Sequence, residues 1–409
     1  MDTQKDKLLA KAERLNVYRH GPVAYLKKSI TALLFENWVN VLMICFPLAI
    51  HMEENHGDPS NIFFCSLLAI APFAERLSFV TEQLALHTSE VLGGMLNATF
   101  GNVTELIVSL FALKYGMLRI VQCSLLGSIL SNLMLVLGCA FFAGGIVTKQ
   151  QKFSAPASSV NYSLLVLSAS SSLLPCAIDA NPSEGAPPGS GLVVSRVLSC
   201  MMLVVYVCYV TFQLVTHTFL YEDDDDDDEE AGEGEEEEEE EAVLGVAGSV
   251  FWLAVITVVI SILSEYMVDS LEAAAVGWGV PDLFLGTIII PIVGNAAEHA
   301  AAIIFAVKNK MELALGIAVG SSIQIGVFCV PLLCVFAWSI DIELSLNFGL
   351  FECLTYLITA LVVGAIITSG QSNWLQGVVL ITGYAFVSAA FFVHADPPEL
   401  ASHAEHHHE

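Results

Sequence analysis

Charge is scarce in this chain. Only 14% of its 409 residues are charged, against 55% hydrophobic, and that ratio excludes a soluble globular protein of this length. Nucleotide loop, nucleophile motif and cofactor fingerprint are all missing, so neither an enzyme nor a resident cofactor nor nucleic-acid binding is expected. None of the ten cysteines forms a CxxC pair, which leaves no sign of a zinc site or a disulfide framework. They lie in or beside apolar runs and read as small core residues. No apolar stretch opens the chain: residues 1–36 are polar and amphipathic, so no cleavable signal peptide is expected there.

What is there is a series of apolar runs of about 20 residues, the length that crosses a hydrocarbon core of about 30 Å. Eleven are read, at about 37–53, 60–81, 88–113, 117–145, 158–179, 192–220, 244–275, 282–307, 312–339, 348–369 and 374–394. The expected fold class is an all-α integral membrane protein of about eleven transmembrane helices. Seven basic residues (Lys5, Lys7, Lys11, Arg14, Arg19, Lys27 and Lys28) precede the first run and place the N-terminus in the cytosol by the positive-inside rule. Counting crossings puts Lys149, Lys152, Lys308 and Lys310 on the same side, while Lys114 and Arg119 fall on the wrong one. The formal charge of −28 is local: 17 of the 20 residues in 222–241 are acidic, and −28 + 17 leaves about −11 elsewhere. Such a block is solvated and self-repelling. It reads either as a bare interhelical linker or as a collector of divalent cations.

Two short motifs repeat. Gly101–Glu105 reads GNVTE and Gly294–Glu298 reads GNAAE, 193 residues later, and the same offset carries Gly127-Ser128 onto Gly320-Ser321. Glu75 and Glu82 recur as Glu265 and Glu272 at an offset of 190. The chain therefore divides into a basic N-terminal segment (1–36), an extra helix (37–53), a five-helix repeat (60–220), the acidic linker (222–241), a second five-helix repeat (244–394) and a short tail (395–409). Five crossings is an odd number, so the second copy enters the membrane inverted. Inverted repeats characterise secondary transporters, whose site lies near the midplane between the copies.

Glu105 and Glu298 fall near the middle of apolar runs with no Lys or Arg nearby in sequence. An ionised glutamate at that depth costs several kcal/mol unless neutralised, which points to a bound cation or a proton. Gly101-Asn102 and Gly294-Asn295 stand one turn earlier, with Pro291 a turn further back. Glycine and proline weaken the helix there, and the carbonyls so freed are tolerated only along a cavity. Spacing i, i+3 puts Asn102 with Glu105, and Asn295 with Glu298, on one face. Two carboxylates, two amides and loose carbonyls form an all-oxygen set suited to calcium, with Glu105 and Glu298 as metal ligands. Zinc or copper would want His or Cys, and only His299 is close. Ser128, Ser131 and Asn132 in the fourth run, with Ser321, Ser322 and Gln324 in the ninth, either extend this polar surface or serve as helix-packing contacts. Glu75 and Glu82 are candidates for ion entry, unless Glu75 is salt-bridged to the adjacent Arg76 and Glu82 simply faces cytosolic water; Glu82, Glu272 and His299 are candidates for a further proton.

The segments GGMLNATFGNVTELIVSLFALKYG and IIIPIVGNAAEHAAAIIFAVKNKMELALGIAVGSS resemble the two signature repeats of the vacuolar-type calcium/proton exchangers, within the cation/calcium exchanger superfamily. The resemblance covers nearly all eleven runs and includes the acidic linker. It implies an antiporter that moves cytosolic calcium into an acidic compartment in exchange for protons, with the glutamates at 105 and 298 carrying both ions. It also implies a multi-pass protein of the vacuolar or another acidic-organelle membrane. Manganese/proton and sodium-coupled calcium exchange are the alternatives, with a calcium channel a more distant one. The partners expected are calcium, protons, the bilayer and, among open alternatives, manganese and a second copy of the chain. The histidines at 403 and 406–408 are given no role.

Overall fold

The computed structural model describes residues 22–35, 37–88, 92–93, 96, 100–180, 187, 189–220 and 242–394. The acidic linker, most of the N-terminal segment and the C-terminal tail lie outside the described residues. The chain is a helical membrane protein, with one two-residue antiparallel strand pair among the described residues, joining the loops at Gln151–Lys152 and Gln371–Ser372.

Helix α1 covers Pro22–Phe35, and a 3-10 turn at Trp38–Ile44 leads into α2, Cys45–Glu54. Before the acidic linker follow α3 (Pro59–Ala85), α4 (Val103–Lys114), α5 (Leu118–Val147), α6 (Ala155–Ala180) and α7 (Ser190–Thr216). After it come α8 (Val246–Trp278), α9 (Asp282–Gly294), α10 (Ala296–Val307), α11 (Met311–Ser339), α12 (Leu350–Ile367) and α13 (Trp374–Val393). Eight of these are unbroken and apolar enough to cross a membrane. Two more candidates are bent pairs: α9 with α10 at 54°, and Lys27–Leu34 with Trp38–Glu54 at 87°. The run expected at 88–113 is continuous among the described residues only from Phe100 onward, so an exact count of eleven is not read from the structure.

Local signals fix the helix ends. Asp58 caps α3 through Ser60 N–H with Pro59 in the first turn, and Asn373 and Gln376 form a capping box at α13. Gly279, at φ +64°, closes α8 in the left-handed conformation. Mid-helix, Ser131–Val136 in α5 and Ile325–Cys329 in α11 widen into π turns. Shifting 131–136 by the repeat offset of 193 gives 324–329, so the distortion recurs at matched positions.

The helices pair across the two halves of the chain. Helix α3 packs along α8, α6 on α12, α5 on α13 and α7 on α11. One large core of apolar side chains runs through these contacts, and a smaller one (Leu33, Leu77, Val80, Leu253, Ile256 and Ile260 among them) fills the space between α1, α3 and α8. On that same face Arg76 donates to Ala32 O at 2.7 Å and pairs with Glu75, the salt bridge their adjacency suggested.

The opposite face is tied down by Arg119, one of the two basic residues that the crossing count puts on the wrong side. Its guanidinium bonds Phe348 O and the Glu352 carboxylate, which is 1% exposed, while His394 Nε2 stands 3.5 Å from the same carboxylate. A basic residue paired with a buried acid costs the topology little. Removing one partner of a buried pair leaves an uncompensated charge worth about 3–5 kcal/mol, so Arg119→Ala is expected to lower the melting midpoint in detergent sharply. The exposed pair Lys114–Glu265 contributes about 1 kcal/mol or less, and Lys114→Ala should leave that midpoint nearly unchanged.

Candidate ion-binding site

The motif that repeats in sequence breaks the helix in the structure. Asn295, at φ −95° and ψ 17°, separates α9 from α10, and Asn102, at φ −114° and ψ 27°, precedes α4. Pro291 lacks the N–H that would continue the ladder, and the helix before it opens into a π turn at Leu285–Ile289. Each break starts a new helix with a glutamate in its first turn, Glu105 in α4 and Glu298 in α10. First-turn N–H groups lack intrahelical acceptors, so both carboxylates sit at the positive ends of half-helices.

Glu105 lines a cavity together with Thr104, Val108, Ser124, Ser128, Pro291, Gly294 and Asn295. Its remaining wall is apolar: Leu67 and Ile70 from α3, Leu125 from α5, Met267 from α8 and Ile290 from α9. These wall residues come from the first halves of α3 and α5 and the second half of α8, all on the Arg119 face. The α1 face is filled instead by the smaller apolar core. Asn295, which opens the helix of Glu298, lines the same cavity as Glu105.

The two glutamates are held differently. Asn132 Nδ2 donates to Glu298 Oε2 at 3.3 Å, while Asn132 Oδ1 accepts from Asn295 Nδ2 at 3.4 Å. Ser321 lies within hydrogen-bonding reach of Glu298 as well. Neither glutamate has a basic partner among the described residues. Buried polar atoms in the two glutamate motifs are left over: both amide atoms of Asn102 and Asn295 Oδ1 accept or donate nothing. Dry, such groups cost about 1–3 kcal/mol each. A hydrated cation would satisfy them. No group of three or more His, Cys, Asp or Glu converges among the described residues, so a bound ion would draw on amide and carbonyl oxygens beside the two carboxylates.

Of the remaining residues read from sequence, Ser128 and Gly294 reach the cavity. Ser131 Oγ meets His299 Nε2 at 3.4 Å, and His299 Nδ1 stands 2.6 Å from Asn295 O, so the imidazole braces the helix break. Ser322 turns back to Ala318 O at 2.8 Å and acts in packing. Gln324 is buried beside the matched π turn. Gly101, Glu82 and Glu272 are exposed and do not line the cavity. Thr104 and Ser124 line it without having been singled out. Their signal was available only in retrospect, as small polar residues on the same helices as Glu105 and Ser128.

Comparison with known proteins gives the family. The model of the sodium/calcium exchanger protein family matches residues 61–215 and 248–393, leaving out the acidic linker. Vacuolar cation/proton exchanger 2 of Arabidopsis thaliana is 46% identical over 92% of this chain and 86% of its own length. Vacuolar cation/proton exchanger 3 of Oryza sativa subsp. japonica is 45% identical over 90% and 89%. Among solved structures, the selenium-substituted Ca2+/H+ antiporter protein YfkE superposes with a TM-score of 0.70 at 33% identity, covering 86% of this chain and 98% of that one. This chain therefore belongs to the sodium/calcium exchanger protein family, a family of membrane transporters, and is similar over most of its length to vacuolar cation/proton exchangers.

Proposed function

We propose that the protein is a secondary antiporter that moves calcium from the cytosol into an acidic compartment in exchange for protons. The observation that carries this reading is the pair Glu105 and Glu298, matched in the two repeats, each opening a half-helix and flanked by unpartnered polar atoms. Without basic partners, two carboxylates hold a divalent cation when ionised and protons when it leaves. Cation and protons compete for one site, which is all that exchange requires. The relatives' names, cation/proton exchanger and Ca2+/H+ antiporter, support the same ions.

The segments 60–220 and 244–394 act as inverted five-helix units on either side of the acidic linker, with 37–53 as an added helix. With the N-terminus cytosolic, the Arg119 face is lumenal. The cavity then lies in the lumenal half, while the packing of α1, α3 and α8 fills the cytosolic side. Alternating access needs the reverse arrangement to be reachable as well. The homologues' names favour a vacuolar membrane.

Purified protein in liposomes tests this against its rivals. Calcium uptake should follow an imposed pH gradient and ignore a sodium gradient, with manganese added as competitor to measure selectivity. Each pH unit is worth about 1.36 kcal/mol per proton. Two protons descending two units supply about 5.4 kcal/mol, enough for a calcium gradient near 10⁴-fold at about 1.4 kcal/mol per decade. Uptake that follows sodium instead would overturn the proton reading. Flux without saturable counterflow would mark a channel.

A further inference from the structure

Lys114, the second basic residue on the wrong side, lies nine residues past Glu105 at the end of α4, about 13 Å along the axis at 1.5 Å per residue. Its ammonium is 2.9 Å from Glu265 Oε1 on α8 and 5.5 Å from the ring centroids of both Phe111 and Tyr115. The Tyr115 hydroxyl meets the same Glu265 oxygen at 3.4 Å. Asp269, one turn beyond Glu265, and Glu53 from the end of α2 also act on Tyr115. Burial first, then these acids, push the Tyr115 phenol up to about 12, so it remains a donor. Tyr115 is seven residues past Val108 and shares its stripe of α4, and Val108 lines the cavity. The Arg119 face, in whose half of the membrane the cavity lies, therefore carries the carboxylates of Glu265, Asp269 and Glu53, with the Lys114 ammonium held by Glu265 and two rings.

We propose that Lys114 is a resident counter-ion at the release mouth, occupying carboxylates that would otherwise retain the departing divalent cation. An acidic mouth raises the local cation concentration, which helps capture but slows release. A tethered ammonium cancels that attraction and yields nothing to solution. The two faces thereby differ in affinity although the central site is shared. This inference rests on the antiporter reading for the identity of the cation.

The test compares wild type with Lys114→Gln, Lys114→Arg and Glu265→Gln in liposomes, measuring apparent calcium affinity separately on each face. Lys114→Gln should tighten affinity on the Arg119 face about three- to tenfold at low salt, an effect that shrinks as salt screens it. Affinity on the α1 face should not change, and Lys114→Arg should match wild type. With Glu265→Gln in place, replacing Lys114 should have less effect. Equal affinities in wild type and Lys114→Gln on both faces, or an equal change on both, would overturn the proposal. A transport-free readout separates this from the antiporter reading: the calcium concentration that raises the melting midpoint of purified protein should fall in Lys114→Gln. A wild type that moves no calcium under a pH gradient, with that fall still present, overturns antiport and supports the role of Lys114. An unchanged calcium dependence of melting overturns the role of Lys114.

Discussion

Glu105→Gln and Glu298→Gln are each expected to reduce calcium/proton exchange to the background of empty liposomes, while the protein still extracts and melts like wild type. Glutamine keeps the shape of glutamate but cannot alternate between an ionised and a protonated form. Each substitution also leaves a site of charge −1 facing a divalent cation among amides that cannot make up the difference. The environments differ: Glu298 is bonded by Asn132, and Glu105 lines the cavity. The loss should nonetheless be equal, because in the proposed cycle both carboxylates take part. Flux and melting measurements on the same preparations check this, and pH-driven uptake in either variant would contradict the mechanism.

Gly127→Val is expected to be nearly as severe, through packing. A Cβ at Gly127 would lie 2.0 Å from the Thr287 carbonyl oxygen and 2.8 Å from Pro291 Cγ. Helix α5 thus meets the π turn of α9 backbone to backbone, as small residues allow between membrane helices. A side chain there must push α9 away, and with it the break at Asn295 that positions Glu298. Overpacking costs about 1–3 kcal/mol or more, so the melting midpoint should fall and transport should drop with it. Gly286→Ala, whose Cβ would meet only Ile120 at 3.5 Å, is the matched control and should be tolerated. Equal behaviour of the two variants would contradict this account of the α5–α9 contact.

Much of this was legible in one dimension because the membrane simplifies the code. Apolar runs of that length read as spans, and polar groups inside them stand out, so position alone singled out Glu105 and Glu298, which the structure puts on the cavity and beside Asn132. The helix breaks were legible too, since Gly294, Asn295 and Pro291 carry their own backbone chemistry. What sequence could not show was which distant residues meet. Asn132 stood among the polar residues of the fourth run, but its bridge to Glu298 and Asn295 joins positions 166 and 163 residues apart. The matched π turns leave no sequence signal of their own, because a widened turn depends on packing as much as on residue type. Arg119 looked like a violation of the topology rule until the fold placed Glu352 beside it. The same holds for α1, whose amphipathic pattern did not reveal that Arg76 would hold its backbone against α3.

The central claim is that calcium and protons compete for Glu105 and Glu298, and its most direct test runs the exchange backward. Liposomes loaded with calcium and diluted into calcium-free buffer, with pH equal on both sides and voltage clamped, should draw protons inward as calcium leaves. The lumen of the vesicle should acidify against a gradient that grows as it does so. Two protons per calcium are predicted from two carboxylates, with no dependence on the clamped voltage. A steep voltage dependence would bring in a third titrating group, at about 2.3 kcal/mol per 100 mV for each added charge. Calcium efflux with no proton movement, in wild type whose Glu105→Gln and Glu298→Gln variants are silent, would show that the site carries calcium without exchanging it for protons.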